Sequence, residues 1–202
     1  MKLFIIVVMK KLILASQSPR RRELLEKCGI PFICEPADID ETITEGNDLS
    51  DEIRRLSRRK AEAVLALHPD AVIIGSDTIV AVDGKVLGKP QDRNEAREML
   101  QMLSGNTHQV ITGLCVISSS RCFQDVSVSH VTFAPLSSDE IDAYVSSGEC
   151  DDKAGAYAIQ GLGMMLVKKI DGDYYNVVGL PITRVVREMQ DMLGICSEAE
   201  DE

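Results

Sequence analysis

The sequence predicts an α/β fold, and three features of its pattern carry that expectation. Apolar runs rich in β-branched residues alternate along the chain with segments whose apolar residues recur every three or four positions. Neither kind is confined to one half of the 202 residues, and no linker or repeat divides them. Cap and turn residues fall between the two kinds of segment, where elements end. Strands and helices are therefore expected to share one core.

The elements follow in order. Residues 11–15 (KLILA) form a short apolar run, predicted as a strand, that ends in the polar Ser16-Gln17-Ser18-Pro19. Ser18 as N-cap, with Pro19 at the first helical position, opens a helix that Gly29 stops. Residues 32–34 are a second strand candidate, followed by the acidic Asp38-Ile39-Asp40-Glu41. Leu49, Ile53, Leu56, Lys60, Val64 and Leu67 recur at helical spacing. Residues 71–75 (AVIIG) have the look of a strand buried on both faces, which breaks off at Ser76-Asp77-Thr78. Residues 79–82 and 85–87 flank Asp83-Gly84, the strongest hairpin signal in the chain. A helix over 94–103, closed by Ser104-Gly105, precedes two long paired strands over 107–118 and 123–133. A capping box over residues 137–140 opens a helix that Gly148 stops. Residues 165–170 are a further strand, and 182–193 a last amphipathic helix behind Gly179-Leu180-Pro181.

Composition narrows the function. Twenty-two Lys and Arg against 32 Asp and Glu leave a net charge of −10. Such a surface repels a phosphate backbone and argues against a duplex-coating nucleic-acid binder. The absence of Trp and 4% aromatic content argue against stacking platforms for single strands. Phosphate chemistry would need a local basic pocket. Six cysteines without a C-x-x-C pair are expected to be reduced, as in a cytoplasmic protein. Three scattered histidines offer no zinc spacing. The apolar run in residues 1–8 (MKLFIIVV) is short for a signal peptide and far below the ~20 residues of a membrane span. It is expected to be an N-terminal extension ahead of Met9, and residues 196–202 an acidic disordered tail.

Four segments are candidates for chemistry. Arg20, Arg21 and Arg22 crowd the first turn of a helix, where the macrodipole favours anions. They are either a solvated basic patch or, with the helix N-terminus, a site for a bound anion. Asp77 is expected at the carboxyl end of a buried strand, where ligand crevices open in α/β sheets. It is either a carboxylate that holds a metal or takes a proton from water, or an acid that shapes a turn. Lys89 follows the hairpin in Gly-Lys-Pro, a weak signal alone. Residues 152–163 gather glycines and small residues around Lys153 and Gln160, either a tight turn or a close approach to a ligand. A Gln buried there would offer the donor and acceptor pair that reading a base edge requires. There is no P-loop, no dinucleotide fingerprint and no nucleophile elbow.

Taken in order, SQSPRRRELL (16–25), GSDTIV (75–80), GKPQD (88–92), LSGNTHQVITG (103–113), DKAGAYAIQG (152–161) and GDYYNVVGLP (172–181) resemble the Maf family of nucleotide pyrophosphatases. The resemblance runs from about Met9 to Ile195, which sets a single catalytic domain over 9–195. The DKAGAY-x-IQG form is similar to the branch that acts on dTTP and UTP rather than on 7-methyl-GTP. Ser76 and Ala158 depart from the usual Ala and Gly, and residues 1–8 have no counterpart.

The resemblance implies a mixed, twisted sheet with flanking helices around an elongated two-lobed cleft, similar to the inosine triphosphatase fold, and a homodimer. It implies hydrolysis of a nucleoside triphosphate to the monophosphate and pyrophosphate with Mg²⁺ or Mn²⁺. Asp77 would activate the water, and Glu41 with Asp77 would hold the cation. Arg20, Arg21, Lys60 and Lys89 would neutralise the triphosphate, and Ser16 would donate to a phosphate oxygen. Arg20, Thr78 and Gln160 would bear on which base is accepted. The alternative is a non-enzymatic regulator of septum formation acting through protein binding.

Overall fold

The computed structural model describes residues 10–43 and 48–194. The expected extension 1–8 and tail 196–202 lie outside the described residues. One seven-stranded mixed sheet runs through the fold in the order β2-β1-β3-β5-β6-β7, with β4 attached to β3. The strands are β1 (Leu12–Leu14), β2 (Ile33–Cys34), β3 (Val72–Val82), β4 (Lys85–Leu87), β5 (Thr107–Ile117), β6 (Cys122–Phe133) and β7 (Val167–Asp171). β1 pairs in parallel with β2 and β3, and all other pairs are antiparallel. The helices are α1 (Pro19–Glu26), α2 (Leu49–Leu67), α3 (Arg93–Leu103), α4 (Ser138–Ser146), α5 (Tyr174–Val178) and α6 (Ile182–Leu193). The α/β reading of the sequence holds.

β3 corrects the sequence in one respect. It does not end at Gly75 but continues as a single 11-residue strand through Asp77 and Thr78. The polar residues resemble a strand end only in isolation. β5 pairs straight across them, Asp77 facing Gly113 and Thr78 facing Thr112. The other edge of β3 behaves differently. β1 covers Val72–Ile74 and β4 covers Val80–Val82, so residues 75–79 carry no ladder on that side. Asp77 thus lies at a gap in the sheet rather than beyond its end.

The core splits on either side of this gap. Toward β1, Leu14, Val72 and Ile74 pack against α1 and α6 on one face, while Ile13 and Ile73 meet α2 on the other. Toward β4, Val80, Val82, Leu87 and Phe133 pack with α3 and α4. The two halves are the lobes of the cleft.

α2 is pressed against the strands through two glycines. A Cβ on Gly75 would lie 2.2 Å from the Ser57 carbonyl oxygen, and one on Gly113 would lie 2.3 Å from that of Ile53. Only glycine permits this approach, and it carries Lys60 up to the strand edge. The glycine-bearing stretch forms 3₁₀ turns at Ala154–Ala156 and Gly161–Leu166, the second of which takes residues 165 and 166 from the expected strand. The five-residue α5, capped by Asp173, has no signal in the sequence pattern.

Candidate active site

The gap in the sheet opens into a cleft of about 710 Å³, well within the range that accommodates small-molecule ligands. Ser16, Arg20, Arg21, Glu41, Lys60, Asp77, Thr78, Lys89 and Gln160 all line it. The structure therefore brings these nine residues to one place. Lys153 lines it as well, so cations outnumber the carboxylates Glu41, Asp77 and Asp152 there. The local balance opposes the net charge of −10 on the whole chain.

Successive strand residues point to opposite faces, and β3 uses both at the gap. Asp77 faces α2, where Lys60 Nζ lies 2.6 Å from its Oδ1. The same ammonium lies 2.9 Å from Glu41 Oε1. Lys60 is only 5% exposed, and its periodic place among apolar residues disguises it as a core position.

Thr78 faces the other way, toward α1. Arg21 is buried and donates from Nε to the Gly179 carbonyl (2.8 Å), from Nη1 to Ser16 Oγ (3.2 Å) and from Nη2 to Thr78 Oγ1 (2.9 Å). Its Nη1 also stands 4.0 Å from Asp77 Oδ1. Burial lowers the Arg21 pKa below its ordinary value, against the pull of Asp77. Behind Thr78, Thr112 bonds its hydroxyl at 2.9 Å and donates to the Asn176 carbonyl (3.2 Å). Thr78 is thus tied to the support of Arg21. Ser16 Oγ accepts from Arg21 and from the Ser18 N–H (3.2 Å), and its own proton is not used in either contact.

The three arginines divide. Arg22 is exposed and pairs with Glu26 one turn on (2.7 Å), the solvated reading. Arg20 and Arg21 instead line the cleft. Asp152 is held below the usual carboxylate range by its hydrogen bond from Lys153, aided by the charges of Lys153, Arg20 and Lys89. Among the described residues, neither Arg20 nor Lys89 is in an ion pair. The loop bearing Lys89 is docked through Gly88, whose carbonyl accepts the Gly155 N–H (3.0 Å). Gln160 is half-buried rather than buried, and its carboxamide forms no hydrogen bond among the described residues.

One wall of the cleft is Tyr157, whose hydroxyl meets His108 Nε2 at 2.8 Å. Burial brings the His108 pKa down to about 4 from an ordinary 6.5. The unfolded chain takes up this proton near pH 6.5 and the folded chain only near 4, so the contribution of His108 to stability falls as pH drops through that window. The difference corresponds to about 3 kcal/mol. His108→Gln is expected to flatten the fall in denaturant-derived stability between pH 6.5 and 4. An unchanged slope would assign that fall to carboxylates alone.

The donor set suits a divalent cation. Glu41 and Asp77 both line the cleft and supply hard oxygen donors, and the Lys60 ammonium stands between them. No cluster of three or more His, Cys, Asp or Glu forms a metal cage among the described residues. Two carboxylates completed by water and substrate phosphates is the usual arrangement for Mg²⁺.

Fold and cleft together define an α/β protein with a cation-lined crevice and a carboxylate at the open edge of its central strand. A family model described as Maf-like protein matches residues 11–192, and the chain belongs to this family. It is 49% identical over 182 residues to a Bacillus cereus protein named dTTP/UTP pyrophosphatase, covering 90% of each chain. A Bacillus pumilus protein of the same name is 50% identical over 182 residues, 90% of this chain and 96% of its own. The solved structure of a Vibrio cholerae protein aligns over 59% of this chain and 62% of that one, at 12% identity and a TM-score of 0.37, too loose a likeness to bear on the fold.

Proposed function

We propose that this chain is a nucleoside triphosphate pyrophosphatase that hydrolyses dTTP and UTP, and modified pyrimidine nucleotides, to the monophosphate and pyrophosphate. The observation that carries this is Asp77, held at the gap in β3 between Lys60 and Arg21 in a cation-lined cleft. The names of the relatives support the substrates.

The triphosphate lies against Arg20, Arg21, Lys60 and Lys89, and Ser16 donates its free hydroxyl proton to a phosphate oxygen. Asp77 takes a proton from water as the water oxygen bonds to the α-phosphorus and the bond to the bridging oxygen of pyrophosphate breaks. Lys60 and Arg21 hold the carboxylate in place without a reorganisation at the moment of reaction. Glu41 and Asp77 would hold a divalent ion, Mg²⁺ or Mn²⁺, which neutralises phosphate charge and acidifies water when bound. Positioning and charge suffice for such chemistry, and no covalent nucleophile is called for. Gln160, with its uncommitted amide, reads the pyrimidine edge. Arg20 and Thr78 shape the same choice, Thr78 through its bond to Arg21.

The catalytic unit in this reading is one domain over 9–195. A homodimer rests on the family resemblance, and a cytoplasmic location on the cysteine usage. No helix among the described residues is long and apolar enough to cross a membrane.

Purified protein with dTTP or UTP and excess Mg²⁺ or Mn²⁺ is expected to release pyrophosphate and the monophosphate, faster than from purine triphosphates. Release of the diphosphate and inorganic phosphate would move attack to the γ-phosphorus. No release under any metal would favour the regulator of septum formation.

A further inference from the structure

The segment that carries Gln160 is held from behind by a residue that does not line the cleft. Glu149 follows Gly148, the left-handed stop of α4 (φ 75°), and its own N–H is fixed by Ser147 Oγ (3.2 Å). α4 is anchored in the core by Ile141, Tyr144 and Val145. From this base the Glu149 carboxylate accepts two backbone N–H groups, that of Leu162 at Oε1 (3.0 Å) and that of Gly163 at Oε2 (2.8 Å). Tyr144, one turn earlier, accepts the Ala158 N–H (3.1 Å). Both ends of residues 158–163 are thus tied to the C-terminal end of α4, and Gln160 stands between the ties.

The glycines there fit this arrangement and little else. A Cβ on Gly161 (φ 77°) would lie 2.0 Å from Glu149 Oε1, and one on Gly163 would lie 2.0 Å from the Ala158 carbonyl oxygen. At Gly161 the backbone passes against the carboxylate, and at Gly163 it passes against the Ala158 carbonyl. Charge-assisted hydrogen bonds to a carboxylate are among the stronger ones available to a backbone N–H.

We propose that Glu149 is a positioning residue for nucleotide selection. It clamps residues 158–163 so that the carboxamide of Gln160 meets the base. The inference rests on the base-reading role of Gln160 given above. A clamp that only stabilised the fold would leave the preference among nucleotides untouched, whereas misplacement of a reading group by an ångström weakens it steeply.

The test compares E149A, E149Q and Q160A with the parent. It uses kcat and KM for dTTP and dATP, a thermal melt, and amide hydrogen exchange. E149A is expected to lower the dTTP-over-dATP ratio of kcat/KM about 10–100-fold, mainly by raising KM for dTTP. E149Q keeps one of the two acceptors and falls between E149A and the parent. Exchange at the Leu162 and Gly163 amides rises in E149Q while the core amides of α4 hold. A parent-like ratio in E149A beside a collapsed ratio in Q160A overturns the proposal and leaves Gln160 as the reader. A parent-like ratio in Q160A removes that role from Gln160. Glu149 is then judged by its own ratio, which supports a clamp on the rest of the segment if it falls and overturns the proposal if it does not. If E149A does not fold, a lowered ratio in E149Q with faster exchange at the two amides supports the clamp, and a parent-like ratio in E149Q overturns it.

Discussion

Asp77→Asn is expected to lower turnover of dTTP by about 10²–10⁴-fold, the range for loss of a general base. Asn is nearly isosteric and can still accept from Lys60 Nζ, which now lies 2.6 Å from the Asp77 carboxylate. It cannot take a proton from water, and it contributes one negative charge fewer to a bound cation. Fold stability should change little. The side chain sits at the unladdered edge of β3, about a fifth exposed, and the β5 pairing through Gly113 is a backbone matter. The measurement pairs turnover in excess Mg²⁺ or Mn²⁺ with a melt of the same preparation. A variant that melts like the parent and keeps more than about a tenth of its turnover would contradict the general-base magnitude. The role would then pass first to Glu41, which faces the same ammonium.

Where local chemistry sets a conformation, the sequence was legible. Asp83 and Gly84 both take positive φ, 50° and 78°, as an Asp-Gly hairpin requires. The 137–140 capping box forms as read, and the spacing of Leu49 through Leu67 is the helix observed. What was not legible depends on partners distant in the chain. Three consecutive arginines are equivalent on paper, and partners distant in the chain, the Gly179 carbonyl 158 positions away and the Thr78 hydroxyl 57 away, separate the buried Arg21 from the exposed Arg22. Asp77 and Thr78 break an apolar run, which reads as a strand end, and it is β5 that carries the strand onward. Glu149 lies in no motif and gains its meaning only from the N–H groups of Leu162 and Gly163. The candidate site residues stand out as a set through an ordered series of motifs that resembles a family, and no one segment declares its chemistry alone.

Lys60→Met separates holding the base from holding the substrate. Lys60 is buried with its ammonium between Asp77 and Glu41, and two of its three donors are engaged there. Methionine follows the path of the lysine stem and fills the slot with apolar volume. The cost to folding is set by the carboxylates left behind. Removing one partner of a fully buried ion pair costs about 3–5 kcal/mol, but Glu41 is more than half exposed and Asp77 keeps solvent and Arg21 nearby. The loss of stability should therefore fall well short of that figure. Activity should suffer more. Loss of one preorganised cationic donor is expected to lower kcat about 10²–10³-fold, as for other electrostatic stabilisers. How the loss divides between kcat and KM tells the two roles apart. A fall in kcat with KM for dTTP held assigns Lys60 to orienting Asp77. A rise in KM as well means that its third donor meets the triphosphate. A folded variant that loses less than about tenfold in kcat/KM would show that Arg21, at 4.0 Å from the carboxylate, suffices to hold Asp77, and that electrostatic support of the expected size does not come from α2.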